Sequence, residues 1–313
     1  MASPLSRLYF YALDAYRINV ARSSLLRFHA YTETMNIHVN DIERLDEFLR
    51  ACPRVVVLTG AGISLASGIP TYRDQQGQWQ HSEPIKHQEF LQEPARRQRY
   101  WARSLRGWPG VRDAQPNIAH HALATLEQQG CVEALITQNV DRLHQRAGSR
   151  KVIDLHGRLD RVRCLECGAM HPREAIQQQM SGQGNTQYMQ SSQRPDGDVE
   201  LPEEYITAMR IPSCSDCQGV IMPDVVFFGG TVPKPRVESC MDAVARADGL
   251  LVIGSSLQVF SGFRFCRRAA ELGKPIAIIN PGKTRADDIA QLKLKSDCGP
   301  LLQSVTSQRA TLC

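Results

Sequence analysis

The chain has 313 residues, of which 42% are hydrophobic and 22% charged, and its formal net charge is +5. This composition is ordinary for a globular protein with a sizeable core. The positive charge is small and interleaved with acids, so we expect no nucleic-acid partner, and no apolar run is long enough to predict membrane insertion. Four of the ten cysteines form two close pairs, which indicates a reducing compartment with one metal site rather than a disulfide framework.

The first 32 residues differ in composition from the rest. They contain several serines, a single acidic residue, Asp14, and four arginines, Arg7, Arg17, Arg22 and Arg27. This composition is typical of a mitochondrial transit peptide, and a disordered or helical arm is the alternative. We therefore predict that residues 1–32 are a transit peptide and that the protein resides in the mitochondrial matrix.

Apolar strands alternate with helix-length segments along most of the chain. A helical pattern at 42–49 precedes a strand at 54–58, and further strands are predicted at 132–137, 152–155, 225–228, 249–253 and 275–280. Helices are predicted at 118–128, 235–247 and 262–272. This alternation predicts an α/β fold, a Rossmann-like doubly wound parallel sheet.

Two segments interrupt the alternation. Residues 71–108 lack sheet character, and their basic helical stretch at 95–106 is expected to help cover a ligand. Residues 161–222 hold both cysteine pairs and a polar stretch at 177–198. We predict a smaller inserted domain at 161–222, a nucleotide-binding domain built from 40–160 and 223–303, and a C-terminal tail at 304–313.

A glycine turn, Gly60-Ala61-Gly62-Ile63-Ser64, follows the first strand. A strand, a glycine turn and a helix start are typical of nucleotide-binding units, in which backbone amides hold phosphates. The usual dinucleotide fingerprint has a third glycine where Leu65 stands, and it has an acid that closes a second strand about twenty residues on, whereas Glu83 falls here in an irregular segment. These departures disfavour a hydride-transfer dehydrogenase.

The cysteine pairs have the spacing of a metal site. Cys164-x-x-Cys167 and Cys214-x-x-Cys217 supply four thiolates, which predict a closed tetrahedral zinc site. A closed site leaves no position for water, so this zinc is expected to be structural, with free or redox-active cysteines as the alternative. The pairs are separated by residues 168–213, a longer gap than in a simple zinc ribbon, so an insertion is expected between them.

Polar residues follow two predicted strands at their carboxyl ends. Residues 137–144 read Thr-Gln-Asn-Val-Asp-Arg-Leu-His, and His156 closes the next strand. Ligands of open α/β sheets bind at such strand ends. His156 beside amide and carboxylate groups is a candidate general base, although a structural role fits these residues equally well.

In their order along the chain, these motifs resemble the signatures of the sirtuin family between residues 42 and 302. Further matching motifs are Ser67-Gly68-Ile69-Pro70, Tyr72-Arg73, His156-Gly157, the stretch from Pro223 to Gly229, Gly254-Ser255-Ser256 and Asn280. Residues 97–103, 195–198 and 254–259 resemble the class II branch, that of mitochondrial sirtuin four, and the wide gap between the cysteine pairs agrees with it.

The resemblance implies an NAD-dependent protein-lysine deacylase. In this family NAD⁺ is consumed: the acyl group moves from lysine to ADP-ribose and nicotinamide is released. The implied partners are acylated lysine side chains of proteins, here mitochondrial metabolic enzymes, and the implied metal is one structural zinc. Two alternatives stay open: an NAD-dependent protein ADP-ribosyltransferase, and a catalytically weak NAD-binding scaffold or sensor.

The resemblance also assigns roles to residues. His156, Asn139 and Asp141 match catalytic positions, with His156 as general base on a ribose hydroxyl. The nicotinamide pocket is matched by Ala61, Ile63, Asn139 and Asp141, and the phosphate site by residues 60–64. The other matching NAD⁺-binding positions are Tyr72, Arg73, Gln138, Val140, Gly254, Ser255, Ser256, Asn280, Pro281, Gly282 and Cys298.

An acylated peptide is expected as an extended strand in the cleft between the domains. The matching edges are Val226, Phe227, Phe228 and Gly229 on one side and Leu257, Gln258 and Val259 on the other. Tyr100 and Arg103 match a pattern that reads acidic acyl groups in a related branch, since a guanidinium can pair with a carboxylate. Arg103 could instead solvate one face of a basic helix. Lipoyl, biotinyl or branched dicarboxyl groups are therefore expected ahead of acetyl.

Two positions depart from the family pattern. Thr71 stands where many relatives have Asp, and Gly230 replaces an acid that usually follows Phe-Phe-Gly. Thr71 is expected to cost little, whereas Gly230 removes a charge near the peptide cleft and puts substrate affinity in doubt.

Overall fold

The computed structural model describes residues 39–80, 84–181 and 196–310. The predicted transit peptide and residues 182–195 of the polar stretch lie outside the described residues. Within these ranges the strands are β1 (Val55–Thr59), β2 (Val132–Thr137), β3 (Val152–Asp154), β4 (Gly157–Cys164), β5 (Met170–Pro172), β6 (Ile221–Val225), β7 (Gly249–Ile253), β8 (Ile276–Ile279) and β9 (Leu292–Leu294).

The helices lie mostly between consecutive strands. They are α1 (Val39–Ala51), α2 (His87–Gln92), α3 (Pro94–Asp113), α4 (Ile118–Gln128), α5 (Leu143–Arg146), α6 (Arg173–Ser181), α7 (Glu203–Thr207), α8 (Lys234–Arg246), α9 (Phe260–Glu271) and α10 (Cys298–Ala310). A 3₁₀ helix (Ala61–Ser67) follows β1, and another (Asp287–Ile289) precedes β9.

The larger sheet has six parallel strands in the order β3-β2-β1-β7-β8-β9. This is the Rossmann-like order, and it confirms the predicted fold class. The direction of strand addition reverses between β1 and β7, which pair in register from Val55 opposite Gly249 to Thr59 opposite Ile253. In open α/β sheets ligands bind in the crevice beyond the strand ends at this switch point.

Strand β1 is buried on both faces, which explains its continuous apolar run. Val55 and Val57 pack into a core beneath α1, α4 and α10. Val56 and Leu58 face the opposite core, which is completed by α8 and α9. Burying each such side chain contributes roughly 1.5–3 kcal/mol, so this strand anchors the sheet that carries the turns above it.

The inserted domain has its own small sheet and core. Strands β5, β4 and β6 form an antiparallel sheet in that order. Helices α2, α3, α6 and α7 contribute to a core around the fully buried Trp101 and Phe90. The small sheet begins at Gly157, a few residues before the predicted boundary at 161.

Two predicted elements differ from the structure. Of the predicted strand 225–228 only Val225 is in a strand, β6, which belongs to the antiparallel sheet of the small domain. The predicted tail at 304–313 begins within α10, which continues to Ala310. Helix α10 packs Leu301, Leu302 and Val305 into the core, because their apolar side chains cover one face of the sheet.

No helix within the described residues is both long enough and apolar enough to cross a membrane.

Candidate active site

The turns after β1 and β7 touch backbone to backbone at the switch point. Gly60 N donates to Ile253 O at 3.1 Å, and Gly62 N donates to Gly254 O at 2.8 Å. A Cβ on Gly62 would lie 2.8 Å from the Gly254 Cα. A Cβ on Gly254, whose φ is +60°, would lie 2.4 Å from Ile63 N. In the usual fingerprint the third glycine allows close backbone packing at this turn. Here Gly254, which follows β7, allows the backbone to pack closely against Gly62 and Ile63.

A cavity of about 1100 Å³ opens above these turns, between the two domains. It is at the upper end of the usual size of ligand sites. Predicted nucleotide positions line it: Gly60, Ala61, Gly62, Ser64, Tyr72, Arg73, Gln138, Asn139, Val140, Asp141, His156, Gly254, Ser255, Ser256, Asn280, Pro281, Gly282 and Cys298. The predicted substrate positions that line it are Tyr100, Val226, Phe227, Phe228, Gly229, Leu257, Gln258 and Val259.

Two predicted residues lie elsewhere. Ile63, expected at the nicotinamide pocket, is only 1% exposed and packs into the core beneath the sheet, because an apolar side chain at this turn is drawn inward. Arg103, expected to read the acyl group, is also buried, with its Nε 2.9 Å from Asp198 Oδ1 and 2.6 Å from Val199 O. This corrects the interpretation of Arg103 as a residue that solvates one face of a basic helix, whereas a role in reading the acyl group stays a prediction.

Asn139, Asp141 and Ser64 form one hydrogen-bonded group on the cavity wall. Asn139 Nδ2 donates to Gly60 O and to Ser64 Oγ at 3.1 Å each, and Ser64 Oγ donates to Asp141 Oδ2 at 2.8 Å. Leu143 N donates to Asp141 Oδ1 at 2.9 Å. Burial raises the pKa of Asp141, although these two donors oppose that shift by favouring the carboxylate. The group ties the end of β2 to the glycine turn.

A buried layer supports this group from below. Thr59 Oγ1 donates to Thr137 Oγ1 at 2.9 Å and lies 2.9 Å from His144 Nε2, whose ring centroid is 4.8 Å from that of His120. Burial lowers the pKa of His120 to about 4 and that of His144 well below its ordinary value, so both rings are neutral. Sequence reasoning did not single out His120, whose Nδ1 accepts from Asn117 N at 3.3 Å at the start of the same helix and whose ring packs against His144.

His156 is held in one tautomer. Its Nδ1 lies 3.0 Å from Gln138 O, and a carbonyl only accepts, so Nδ1 carries the proton. Its Nε2 is therefore the basic nitrogen, and Ser261 Oγ lies 2.7 Å from it. Burial, opposed by the Gln138 bond and assisted by Arg236 and Arg264, lowers the pKa of His156 to about 4. The imidazole is therefore an unprotonated base at neutral pH, and a weaker base than an exposed histidine.

Aromatic rings line the other end of the cavity. Tyr72, Trp79 and Phe228 meet edge to face, with centroids 5.5–6.3 Å apart. The Arg73 guanidinium stacks 3.8 Å from the centroid of the Trp79 ring. Tyr100 packs against Phe227 with centroids 5.3 Å apart, and burial raises its phenol pKa, so the hydroxyl is neutral. This end suits an apolar chain with a polar tip.

The four predicted metal cysteines come together in the small domain. Their Sγ atoms lie within 4.8 Å of one another; Cys164 and Cys217 are 3.5 Å apart, and Cys167 and Cys214 are 3.8 Å apart. Tetrahedral zinc with bonds of about 2.3 Å places its sulfurs roughly 3.8 Å apart. The cluster is therefore consistent with a structural zinc.

Sequence reasoning missed several residues of these two sites. His171 Nε2 lies 3.3 Å from Cys214 Sγ, beside the cysteine cluster. Trp79, Ser261 and Arg264 line the main cavity. The sequence carried no motif for these residues: His171 and Ser261 contact residues that are remote in the chain, and Trp79 packs against Arg73 within an irregular segment.

The fold and site define a Rossmann-like α/β protein with a ligand cavity at its switch point and an inserted four-cysteine module. The Sir2 family model matches residues 60–261. The NAD-dependent protein deacetylase of Bordetella bronchiseptica is 50% identical over 275 residues, 87% of this chain and 100% of that protein. The chain belongs to the Sir2 family of NAD-dependent protein deacylases, the sirtuins.

Two further comparisons bear on the branch and the cavity. The NAD-dependent protein deacylase Sirt4 of Drosophila melanogaster is 45% identical over 292 residues, 92% of this chain and 93% of that protein. A solved structure described as Sir2-p53 peptide-NAD⁺ is 32% identical with a TM-score of 0.69, covering 86% of this chain and 99% of that chain. The predicted family is thereby confirmed.

Proposed function

We propose that this protein removes acyl groups from protein lysines at the expense of NAD⁺, with transfer of the acyl group to ADP-ribose and release of nicotinamide. The observation that carries the proposal is His156, a neutral imidazole with its basic nitrogen on the cavity wall. The names of the relatives and the peptide and NAD⁺ in the related structure support it.

The lining of the cavity fits NAD⁺. The contacting turns after β1 and β7 present backbone at the switch point, which is where α/β proteins bind phosphates. Asn139 and Asp141 supply amide and carboxylate groups for the nicotinamide carboxamide, and Gln138 donates from Nε2 to Ser255 Oγ at 2.7 Å. When bound, NAD⁺ supplies the ribosyl carbon that accepts the acyl oxygen as nicotinamide leaves.

His156 is assigned the role of general base. Its Nε2 would take the proton of a ribose hydroxyl, while the proton on Nδ1 stays bonded to Gln138 O and keeps the ring oriented. Because the neutral ring needs no prior deprotonation, it is competent throughout the neutral pH range.

We further propose that the peptide enters as a strand between Val226–Gly229 and Leu257–Val259. The first edge is anchored to the catalytic residue, since Val226 N donates to His156 O at 2.8 Å. Extended peptides add to such edges through backbone hydrogen bonds. An acyl-lysine lying there would direct its chain along Phe227 toward Tyr100.

For the acyl group, long neutral chains such as lipoyl or biotinyl are proposed ahead of acetyl. The aromatic end of the cavity offers apolar surface that acetyl would leave unfilled. A branched dicarboxyl group is proposed as a weaker substrate. Its carboxylate would compete with Asp198 for Arg103, and Asp196 and Asp198 also line the cavity.

The test is nicotinamide release by purified protein across acetyl, lipoyl, biotinyl and dicarboxyl lysine peptides. His156→Ala is the variant, and His121→Ala, an exposed histidine on α4, is the matched control. Peptide-dependent release that only His156→Ala abolishes, with acyl-ADP-ribose formed, supports the deacylase. Release with ADP-ribose attached to protein favours the transferase, and no release despite bound NAD⁺ favours the scaffold.

The compartment is proposed to be the mitochondrial matrix, with metabolic enzymes as substrates. The arginine-rich, acid-poor composition of residues 1–32 supports this. Import is measured by fractionation of the tagged full chain and of a variant that begins after Thr32. Unchanged import of the shortened chain would contradict the proposal.

A further inference from the structure

Ser261 lies against the proposed catalytic base. It is the second residue of α9, and its Oγ is 2.7 Å from His156 Nε2, 105 positions away in the chain. Because Nδ1 carries the ring proton, Nε2 accepts, and the Ser261 hydroxyl donates. The Ser261 hydroxyl is thus hydrogen-bonded to Nε2, the nitrogen that must accept the ribose proton.

Packing fixes this contact. Val259 O accepts from Gly262 N at 3.2 Å and from Phe263 N at 3.3 Å, which sets the start of α9. A Cβ on Gly262 would lie 2.8 Å from Gln138 Oε1, so the start of α9 packs directly against the end of the Gln138 side chain. The backbone carbonyl of the same Gln138 orients His156. Gln138 therefore contacts both the His156 imidazole and the start of the helix that carries Ser261.

The charged groups around His156 oppose its protonation. Arg236 on α8 and Arg264 on α9 both lower its pKa, as does burial. Within the part of the chain that the structure describes, the His156 ring has two groups at hydrogen-bonding distance, Gln138 O and Ser261 Oγ, and both oxygens can accept from an imidazolium. Ser261 is thus placed to offset part of the cost of charging the ring.

We propose that Ser261 is a positioning residue for His156, donating to the neutral ring before catalysis and accepting from the charged ring during it. This rests on the proposed role of His156 as general base. In the step concerned, a ribose O–H bond breaks and its proton forms an N–H bond at Nε2. The oxygen keeps the electron pair for its attack on the acyl carbon. As the ribose hydroxyl donates to Nε2, the Ser261 O–H turns away from the lone pair of that nitrogen; the Ser261 oxygen then accepts from the new N–H, and the proton later passes to water.

The kinetic test compares Ser261→Ala and Ser261→Thr with Ser239→Ala, a control at an exposed serine on α8. Ser261→Ala removes one hydrogen bond to the protonated His156 ring. We therefore expect kcat to fall about 3- to 10-fold and KM for NAD⁺ to stay within about twofold of the wild-type value. Ser261→Thr restores most of kcat, since it keeps the hydroxyl. Nicotinamide exchange, which precedes the base step, keeps its rate. An equal loss of exchange and kcat, not rescued by threonine, would mean a structural role and overturn the proposal.

A second measurement needs no substrate. The His156 imidazole is titrated by NMR in the free full-length protein, with its signals assigned by their loss in His156→Ala. The charged ring forms the stronger bond to the hydroxyl, so Ser261→Ala lowers the titration midpoint relative to wild type, and Ser261→Thr returns it. An unchanged midpoint overturns the proposal. If no peptide is deacylated by wild type, the proposed function fails, whereas a Ser261-dependent midpoint still supports the contact.

Discussion

Arg103 and Asp198 form an ion pair beside the cavity, which Asp198 lines, and their side chains are only 6% and 8% exposed. The pair joins α3 to the segment that precedes α7 in the small domain, and Arg103 also donates to Val199 O. A buried charge that loses its partner is costly, because neither water nor a counter-ion replaces it. Arg103 is therefore committed to structure before any acyl group arrives.

Replacing Arg103 by Met is expected to lower the free energy of unfolding by about 3 kcal/mol, since it keeps the volume but leaves Asp198 without this partner. Arg99→Met is the control: Arg99 is on the same helix as Arg103, and it pairs with Glu203 of α7 at the surface, where an ion pair contributes less than about 1 kcal/mol. Urea unfolding of both variants measures the difference. Equal stabilities would show that the buried pair contributes no more than the exposed one.

Loss of one zinc ligand is expected to unfold the small domain. Cys167→Ser should lower bound zinc from one ion per chain and make residues 157–225 sensitive to protease, because a structural zinc contributes folding free energy directly. Zinc content and limited proteolysis are measured together.

The matched control is Cys240→Ala, a buried thiol in the core of the large domain. It should keep its zinc and the protease resistance of the small domain. Full zinc retention in Cys167→Ser would contradict the assignment of that residue as a ligand.

The activity is expected to be insensitive to mild acid. A base must be unprotonated, so activity falls only as pH drops through the pKa of His156, which burial lowers to about 4. We expect kcat/KM for NAD⁺ to change less than about twofold between pH 8 and pH 6. An unperturbed histidine would lose about half near pH 6.5. A midpoint near 6.5, measured with a pH-independent peptide, would show that His156 is not enclosed in solution.

Stability should fall in acid through His120. Burial lowers its pKa to about 4 in the folded state, below the unfolded value of about 6.5. The unfolded chain therefore binds the proton first, and stability present above pH 6.5 is lost as pH falls toward 4, by about 3 kcal/mol at most.

In His120→Gln the free energy of unfolding should fall less steeply with decreasing pH, with a slope that corresponds to uptake of up to one proton fewer on unfolding. The measurement compares the unfolding free energies of the variant and the wild type at pH 7.5, 6.0 and 5.0. The comparison removes contributions that both proteins share, such as that of the cysteine cluster; because His120 also lowers the pKa of His144, the difference reports on the two histidines together. Parallel curves would contradict the assignment.

Local pattern was enough for most of the large domain. Strand 132–137 and helix 118–128 have the predicted bounds, because a long apolar run or a clear helical period dictates which residues are buried. Strand β9 was missed, since three residues carry too little periodicity. The stretch 225–228 was wrong as a strand of the large sheet, because its apolar residues line the cavity and the small domain instead.

By itself, the sequence determined the chemistry available to this protein: four thiolates at metal spacing, a glycine turn after a buried strand, and polar residues at the ends of β2 and β3. Spacing along the chain encodes these features. Only the tertiary structure decided which residues these side chains contact. Ile63 packs in the core, Arg103 pairs with Asp198, and Ser261 lies within hydrogen-bonding distance of His156. These contacts join residues far apart in the chain, and packing selects them because each buried polar group must find a partner wherever the fold brings one within reach.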